Sequence, residues 1–324
     1  MSSRLVSVTR SLNEDDIVEA FVRHNAASLH HMVFLDNGST DATLDILRQL
    51  QAEGISLSVF QTIAAGFDEV AVNTWLYRMA DQMHRADWVV FLDADEFITT
   101  TSGPLLERLN ARSAQDLAIT VPLVHYFDTV EDDAAEPIVP IRMRWRARGE
   151  TGVAKMFIRG GLGTRVSIDA GNHGGILDGR PVPTPHEYQV ALAHYPRRSG
   201  WHDMQKYVIG WLKVLAAGQA AIGADRSSHY RSPFQTLRDK PSELVFNTGY
   251  IAPPVDHAIA ILAPITYLGG DLRYTAVSDP GMKTLSLALH YAEQLARQHG
   301  ALQDRSPEAK QLVNRWNAER KFLF

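Results

Sequence analysis

Residues 87–97, DWVVFLDADEF, decide how the chain is read. Trp88 to Leu92 is a short apolar run of mainly β-branched and aromatic residues, the mark of a strand covered on both faces. Asp93, Asp95 and Glu96 follow it at once. Alternate residues of an extended segment project to the same side, so Asp93 and Asp95 can present two carboxylates to one cation. Hard oxygen donors suit Mg2+ or Mn2+, which take few protein ligands and fill their remaining positions with water and substrate phosphates. This is the only D-x-D triplet in the chain.

Working outward, three similar apolar runs come earlier: residues 5–9 (LVSVT), 31–35 (HMVFL) and 55–60 (ISLSVF). Helical patterns separate them over residues 14–25, 42–53 and 69–85. In the first of these, Ile17, Ala20, Phe21 and His24 form the stripe of a helix that covers a sheet, with Asn13 as its N-cap. Strands alternating with helices predict βαβ units and a parallel sheet. After Phe97 come a helix near residues 104–111 and a strand near 117–126. A Gly-, Arg- and Pro-rich stretch of mixed strands and loops then runs to about residue 190. Helical patterns return over residues 201–217, 282–299 and 307–324. The expected fold class is α/β, an open, mostly parallel sheet flanked by helices, dividing near residue 200 from a mainly helical C-terminal region.

Ligands of open parallel sheets bind beyond the carboxyl ends of the strands, where loops and helix N-termini converge. The polar clusters fall at those ends. The first strand runs into Thr9, Arg10, Asn13 and Glu14, the second into Asp36, Asn37, Gly38, Ser39 and Asp41, and the fourth into Asp93, Asp95 and Glu96. The three clusters are expected to share one crevice.

Composition narrows the chemistry. Among 324 residues, 32 Lys and Arg stand against 37 Asp and Glu, a formal net charge of -5 that argues against nucleic acid as the main partner. The absence of cysteine excludes disulfides, thiolate ligands and Cys nucleophiles. The N-terminal MSSRLVSVTRSLNEDD has no apolar stretch of signal-peptide type. The apolar run over residues 258–268 contains Pro264 and falls short of the about 20 residues that span a bilayer. A cytoplasmic protein without a transmembrane segment is expected, with attachment to the inner membrane face as the alternative.

Taken together, TRSLNEDDIVEAFVRHN (residues 9–25), VFLDNGSTDAT (33–43) and DWVVFLDADEF (87–97) resemble the nucleotide-sugar half of family-two glycosyltransferases of the GT-A fold. A weaker likeness continues through GNHGG (171–175) and AHYPRRS (193–199). The resemblance implies that residues 1–200 form a GT-A nucleotide-sugar-binding and catalytic domain and that residues 201–324 serve the acceptor or an oligomer contact. It implies that Thr9, Arg10 and Glu14 line the base and ribose, that Asp36 accepts from the base, and that Asn37, Gly38 and Ser39 shape the turn. Asp93 would lie near the ribose and metal, Asp95 would ligate Mn2+ or Mg2+, and a later histidine, His194 or His173, would complete the site. The implied reaction moves a sugar from a UDP- or dTDP-sugar to an acceptor hydroxyl with inversion; the acceptor would be a glycan, a lipid-linked molecule or a protein.

Such transfer needs charge stabilisation on the departing diphosphate and a base for the acceptor hydroxyl. Lys155, Arg159, Arg197, Arg198 and Lys206 are the candidate cations. Asp128, after the strand near 117–126, and Asp169 and His173, at the GNHGG turn, are the candidate bases. Trp201, Tyr207, Trp211, Tyr250, Tyr267, Tyr274 and Trp316 could offer a sugar-binding face, although aromatics at helical spacing are usually core. Two rival readings stand beside this one. A haloacid dehalogenase-type phosphatase also places D-x-D after an apolar strand, but opens its domain with it. A noncatalytic sugar-binding protein would keep the fold without turnover.

Overall fold

The computed structural model describes residues 3–62, 64–66, 68–149, 152–218, 228–241, 254–276 and 280–318. Strands β1 (Leu5–Ser11), β2 (His31–Asp36), β3 (Leu57–Gln61) and β4 (Trp88–Phe91) alternate with helices α1 (Val18–Ala26), α2 (Thr43–Ala52) and α3 (Glu69–Arg78). Next come β5 (Glu96–Thr100), α4 (Leu105–Asn110), β6 (Ala118–His125), α5 (Val139–Arg142) and β7 (Trp145–Ala147). The Gly-rich stretch supplies β8 (Ala154–Arg159), β9 (Val166–Ile168), β10 (Gly175–Leu177), β11 (Arg180–Pro181) and β12 (Val190–His194). Beyond it lie α6 (Gly200–Ala216), the helices Arg231–Asp239, Pro280–Arg305 and Pro307–Ala318, and one short strand, β13 (Ala260–Leu262), paired with β7. The last expected helix is seen to Ala318; residues 319–324 and Tyr250 lie outside the described residues, as does the side chain of Trp316.

Eight strands form one sheet in the order β3-β2-β1-β4-β8-β6-β12-β5. Six of the eight run in one direction, and β8 and β5 run against them. This open, mostly parallel sheet, flanked by helices and followed by a helical region, is the α/β architecture anticipated from the sequence. Its two reversed strands were not anticipated, and both matter for what gathers at one edge. Because β8 runs against β4, its start lies beside the end of β4, which brings Lys155 to the Asp93 turn.

The sheet is covered on both faces, as the near-continuous apolar strands require. Leu5, Met32, Phe34, Trp88 and Val90 pack towards α1 and α2, while their neighbours Val6, Val8, Val33, Leu35, Val89 and Phe91 pack towards α3. Phe21 of α1 meets Phe34 of β2 and Phe97 of β5 edge to face, each at 6.1 Å between ring centroids, so one ring ties three elements.

Asn13 does not cap α1. It takes a left-handed backbone (φ 56°), which Asn tolerates better than most residues. Its side chain accepts from Thr40 N–H at 2.8 Å and donates to Thr40 Oγ1 at 3.1 Å. The ends of β1 and β2 are stitched together by this contact.

Among the described residues, no helix is long and apolar enough to cross a membrane. The segment near residue 274 is instead fastened to α1 by Glu19. This fully buried carboxylate accepts N–H bonds from Arg273, Tyr274 and Thr275 at 2.7 to 2.8 Å, the Thr275 hydroxyl at 2.9 Å and Arg23 Nε at 2.9 Å. Removing one member of a buried, hydrogen-bonded ion pair strands its partners, so Glu19→Ala is expected to lose about 3 kcal/mol. A urea midpoint equal to wild type would contradict this fastening.

Candidate active site

Residues 93–96 form a turn closed from within. Asp93 N–H donates to Glu96 Oε2 at 2.9 Å, and Glu96 N–H donates to the Asp93 carbonyl at 3.0 Å. Lys155 Nζ lies 2.6 Å from Asp93 Oδ2 and 3.3 Å from Glu96 Oε1. Burial pushes the Glu96 carboxyl up to about 7, against the pull of Lys155. Burial also opposes charge on Asp93, but Lys155 and Arg10 hold that carboxyl below the usual carboxylate range.

Asp95 faces a different set of partners. Its Oδ2 accepts from Lys206 Nζ at 3.0 Å and lies 3.6 Å from Arg198 Nη1, while Oδ1 lies 3.4 Å from His194 Nε2. β12 delivers His194, whose backbone stands in register with Glu96 and His125; α6 delivers Lys206. Burial works against both charges, yet Lys206 and His194 hold Asp95 well below its ordinary value, and Asp95 in turn raises His194. Behind them Arg198, with 1% of its side chain exposed, donates to Glu14 Oε2 at 2.6 Å and to both oxygens of Asp16 at 2.6 and 2.9 Å. One guanidinium thus joins the end of β1 to the end of β4 and the start of α6.

The turn after β2 is organised by Asp36. Its Oδ2 accepts from Gly38 N–H and Ser39 N–H at 3.0 Å each and from Gln61 Nε2 at 3.1 Å, and its Oδ1 accepts from the Ser39 hydroxyl. Gly38 sits at φ 83°, a conformation that glycine takes without penalty. With no exposed surface and its oxygens accepting from the protein's own groups, Asp36 shapes the loop that presents Asn37.

A cavity of about 1120 Å³ opens beyond the carboxyl ends of β1 and β4. Of the residues expected at the site, Arg10, Glu14, Asn37, Asp93, Asp95 and His194 border it, together with Arg197 and Lys206. Thr9, Asp36, Gly38, Ser39, Asp128, Asp169 and His173 do not. Thr9 is buried within β1, in register with Phe34. Asp128 is buried behind Arg197, 3.3 Å from its Nε. Asp169 and His173 lie on the β9–β10 turn, where Asn73 donates to the Asp169 carbonyl and the exposed His173 ring meets the Ala154 carbonyl at 2.7 Å. Arg159, at the far end of β8, lies 4.5 Å over the Trp88 ring.

Several cavity residues escaped the sequence reading. Glu69 fixes Arg10 at 2.7 Å. Asp203 and Lys213 border the cavity from α6, beside the Tyr207 already named among the candidate aromatics, and Tyr230 borders it from beyond that helix. Asp203 lies three residues before Lys206 and Lys213 seven after it, and that spacing on one helix face was the available signal. Burial, then Arg10, brings the Lys213 ammonium down to about 8. Trp211 on the same helix is buried, Tyr267 stacks on His24, and the Tyr274 hydroxyl donates to Glu53.

Among the described residues no group of three or more His, Asp or Glu side chains is arranged to hold a metal ion. The expected trio Asp93, Asp95 and His194 is split because Lys155 draws Asp93 away. Asp95 and His194 remain as an oxygen and a nitrogen donor side by side on the cavity wall. Two protein ligands suffice for Mg2+ or Mn2+ when phosphates and water supply the rest. The surrounding ion pairs set six carboxylates, Glu14, Asp16, Glu69, Asp93, Asp95 and Glu96, against four fixed cations, Arg10, Lys155, Arg198 and Lys206. The donor set fits a divalent cation.

Residues 8–158 match the model of the family described as Glycosyl transferase family 2. That span holds β1 through β8, hence both the Asn37 loop and the Asp93 turn. No curated protein matches the chain. Among solved structures, a mannosyltransferase from Pyrobaculum calidifontis in complex with GDP-Man and Mn2+ is 13% identical, with a TM-score of 0.36 over 98% of this chain and 80% of that one. Glucosyl-3-phosphoglycerate synthase from Mycobacterium tuberculosis, in complex with Mn2+, UDP and glucosyl-3-phosphoglycerate, is 17% identical, with a TM-score of 0.34 over 65% of this chain and 80% of that one. A complex of that synthase with phosphoglyceric acid is 20% identical, with a TM-score of 0.27 over 38% of this chain and 44% of that chain, less than half the synthase's length.

Replacing Arg198 by Met would leave Glu14 and Asp95 as buried charges without their shared partner. A loss of about 3 kcal/mol or more is expected in chemical denaturation, with Arg198→Lys recovering less than half of it, because one ammonium cannot reproduce the fork of contacts. Wild-type stability in Arg198→Met would show that the guanidinium does not hold the site together.

Proposed function

We propose that the chain transfers a sugar from a nucleotide diphosphate donor to an acceptor hydroxyl. The observation that carries this reading is a large cavity at the carboxyl edge of the sheet, where Asp95 is shared by Lys206, Arg198 and His194. Its support in sequence is the family match over residues 8–158. A cavity of this size accommodates a nucleotide sugar.

In this reading Asn37, Arg10 and Glu14 line the nucleotide, and Asp36, Gly38 and Ser39 set the loop that carries Asn37. Asp95 and His194 hold a Mg2+ or Mn2+ ion, which when bound neutralises charge on the leaving diphosphate. Lys206 and Arg10 border the cavity as further cations and stabilise the same developing charge. Lys155 and Arg198 act from behind, fixing Asp93 and Asp95. The cavity takes its other wall from α6, so residues 201–324 serve the acceptor, a glycan, lipid-linked molecule or protein. UDP and dTDP sugars are the first donors to try.

Calorimetry of UDP, dTDP and GDP with and without Mn2+, followed by a transfer assay with the matching sugars, tests the reading. Asp95→Asn is expected to lower transfer by about 100-fold or more, the scale of a removed electrostatic group. It should also abolish the metal dependence of nucleotide binding while strengthening metal-free binding, because Lys206 is released to the phosphates. Near-wild-type turnover in that variant overturns the site. Metal-dependent binding without transfer from any donor favours a binding protein, and phosphate release from simple esters favours a phosphatase.

A further inference from the structure

Six carboxylates border the cavity: Glu14, Asp68, Glu69, Asp93, Asp95 and Asp203. Five are each held by a partner of their own. Glu14 receives Arg198 at 2.6 Å, Glu69 receives Arg10 at 2.7 Å, Asp93 receives Lys155 at 2.6 Å and Asp95 receives Lys206 at 3.0 Å. Asp68 caps α3 by accepting from Val70 and Ala71 N–H. Asp203 is placed differently. Arg197 Nε lies 3.2 Å from Asp203 Oδ2 and 3.3 Å from Oδ1 of the buried Asp128, so one guanidinium is shared by two carboxylates.

Position points the same way. Asp203 lies in the first turn of α6, three residues before Lys206, and positions so spaced share a helix face. Lys206 in turn grips Asp95. The backbone positions of Asp203 and Lys206 therefore stand about 4.5 Å apart along the helix axis, both facing the cavity.

We propose that Asp203 is the general base of the transfer and that Arg197 and Asp128 are its positioning residues, an inference that rests on the function proposed above. The acceptor O–H passes its proton to an Asp203 oxygen as the acceptor oxygen bonds to the anomeric carbon. The bond from that carbon to the diphosphate oxygen breaks, and its electron pair leaves on the diphosphate. The proton on Asp203 then returns to solvent, and no further reactant is required. Attack opposite the leaving group inverts the anomeric centre.

Burial raises the Asp203 carboxyl to about 6, Arg197, Lys206 and Arg198 pull it down, and Asp128 pushes it up; Tyr207 is the neighbouring phenol on its own helix. The base works as the carboxylate, so transfer should fall as pH drops through that range. Removing the Asp128 charge lowers the Asp203 pKa, and removing Arg197 raises it.

The experiment compares wild type with Asp203→Asn, Asp128→Asn and Arg197→Gln in sugar transfer across pH, alongside nucleotide affinity and Tm. In Asp203→Asn, kcat is expected to fall about 1,000-fold, within the range for a lost general base. Its nucleotide Kd should stay within about twofold, the pattern of an interaction made only in the transition state. In Asp128→Asn the acidic limb of kcat should move to lower pH, and in Arg197→Gln to higher pH. A purely structural role would move Tm and affinity and leave the limb in place. If Asp203→Asn does not fold, Asp203→Glu, which keeps the carboxylate, should retain transfer with a displaced acidic limb. An unmoved limb in Asp128→Asn, or Asp203→Asn turning over near the wild-type rate, overturns the assignment while leaving the transferase reading intact. A wild-type chain that transfers from no donor overturns both.

Discussion

Asp95 keeps its charge with 5% of its side chain exposed because Lys206, Arg198 and His194 close on it from three directions. A carboxylate in that position without partners would take up a proton. Each partner is brought from a different part of the chain: Arg198 from the loop after β12, His194 from the end of β12, and Lys206 from the second turn of α6. The arrangement of strands can be understood as the means of bringing them together. It needs β12 parallel to β6 and both in line with β4, so that their carboxyl ends meet at one edge.

The same constraint explains the two reversed strands. β8 enters between β4 and β6 from the opposite direction, and only that direction sets Lys155 against Asp93 and Glu96. β5 begins at Glu96 and pairs antiparallel with β12, which locks the acidic turn beside His194. The acids therefore stand in a frame that is sheet below and helix α6 above. Burial raises Glu14 and Glu96 to about 7, so near neutral pH a proton answers part of the acidic charge gathered in this frame.

Much of this was legible in the sequence. The first four strands are β-branched runs bounded by turn residues, and the clusters at their ends lie at one edge because βαβ connections force neighbouring strands to run alike. Asp95 and Asn37 were legible as cavity residues for that reason, while His194 and Lys206 were singled out by residue type and by the family resemblance. The internal role of Asp36 was not legible: a carboxylate followed by Asn-Gly-Ser serves a turn as well as a ligand, and the bonds from Gly38, Ser39 and Gln61 appear only in the folded chain. Asp128, expected to face an acceptor, lies buried behind Arg197, a depth that local sequence does not show. Asp203 went unread because a lone acid in the first turn of a helix is explained by the helix dipole. The direction of β8 and the existence of β5 depend on pairings with residues far away in sequence, which local pattern does not encode.

The central claim is that Asp95 and its three partners form the diphosphate end of a nucleotide-sugar site. A crystal structure grown with Mn2+ and uridine diphosphate tests it most directly. The account predicts an ion held by Asp95 and His194 and Lys206 Nζ moved from Asp95 onto a phosphate oxygen. Clear density for the nucleotide elsewhere, with Lys206 still on Asp95 and no ion beside His194, would contradict it.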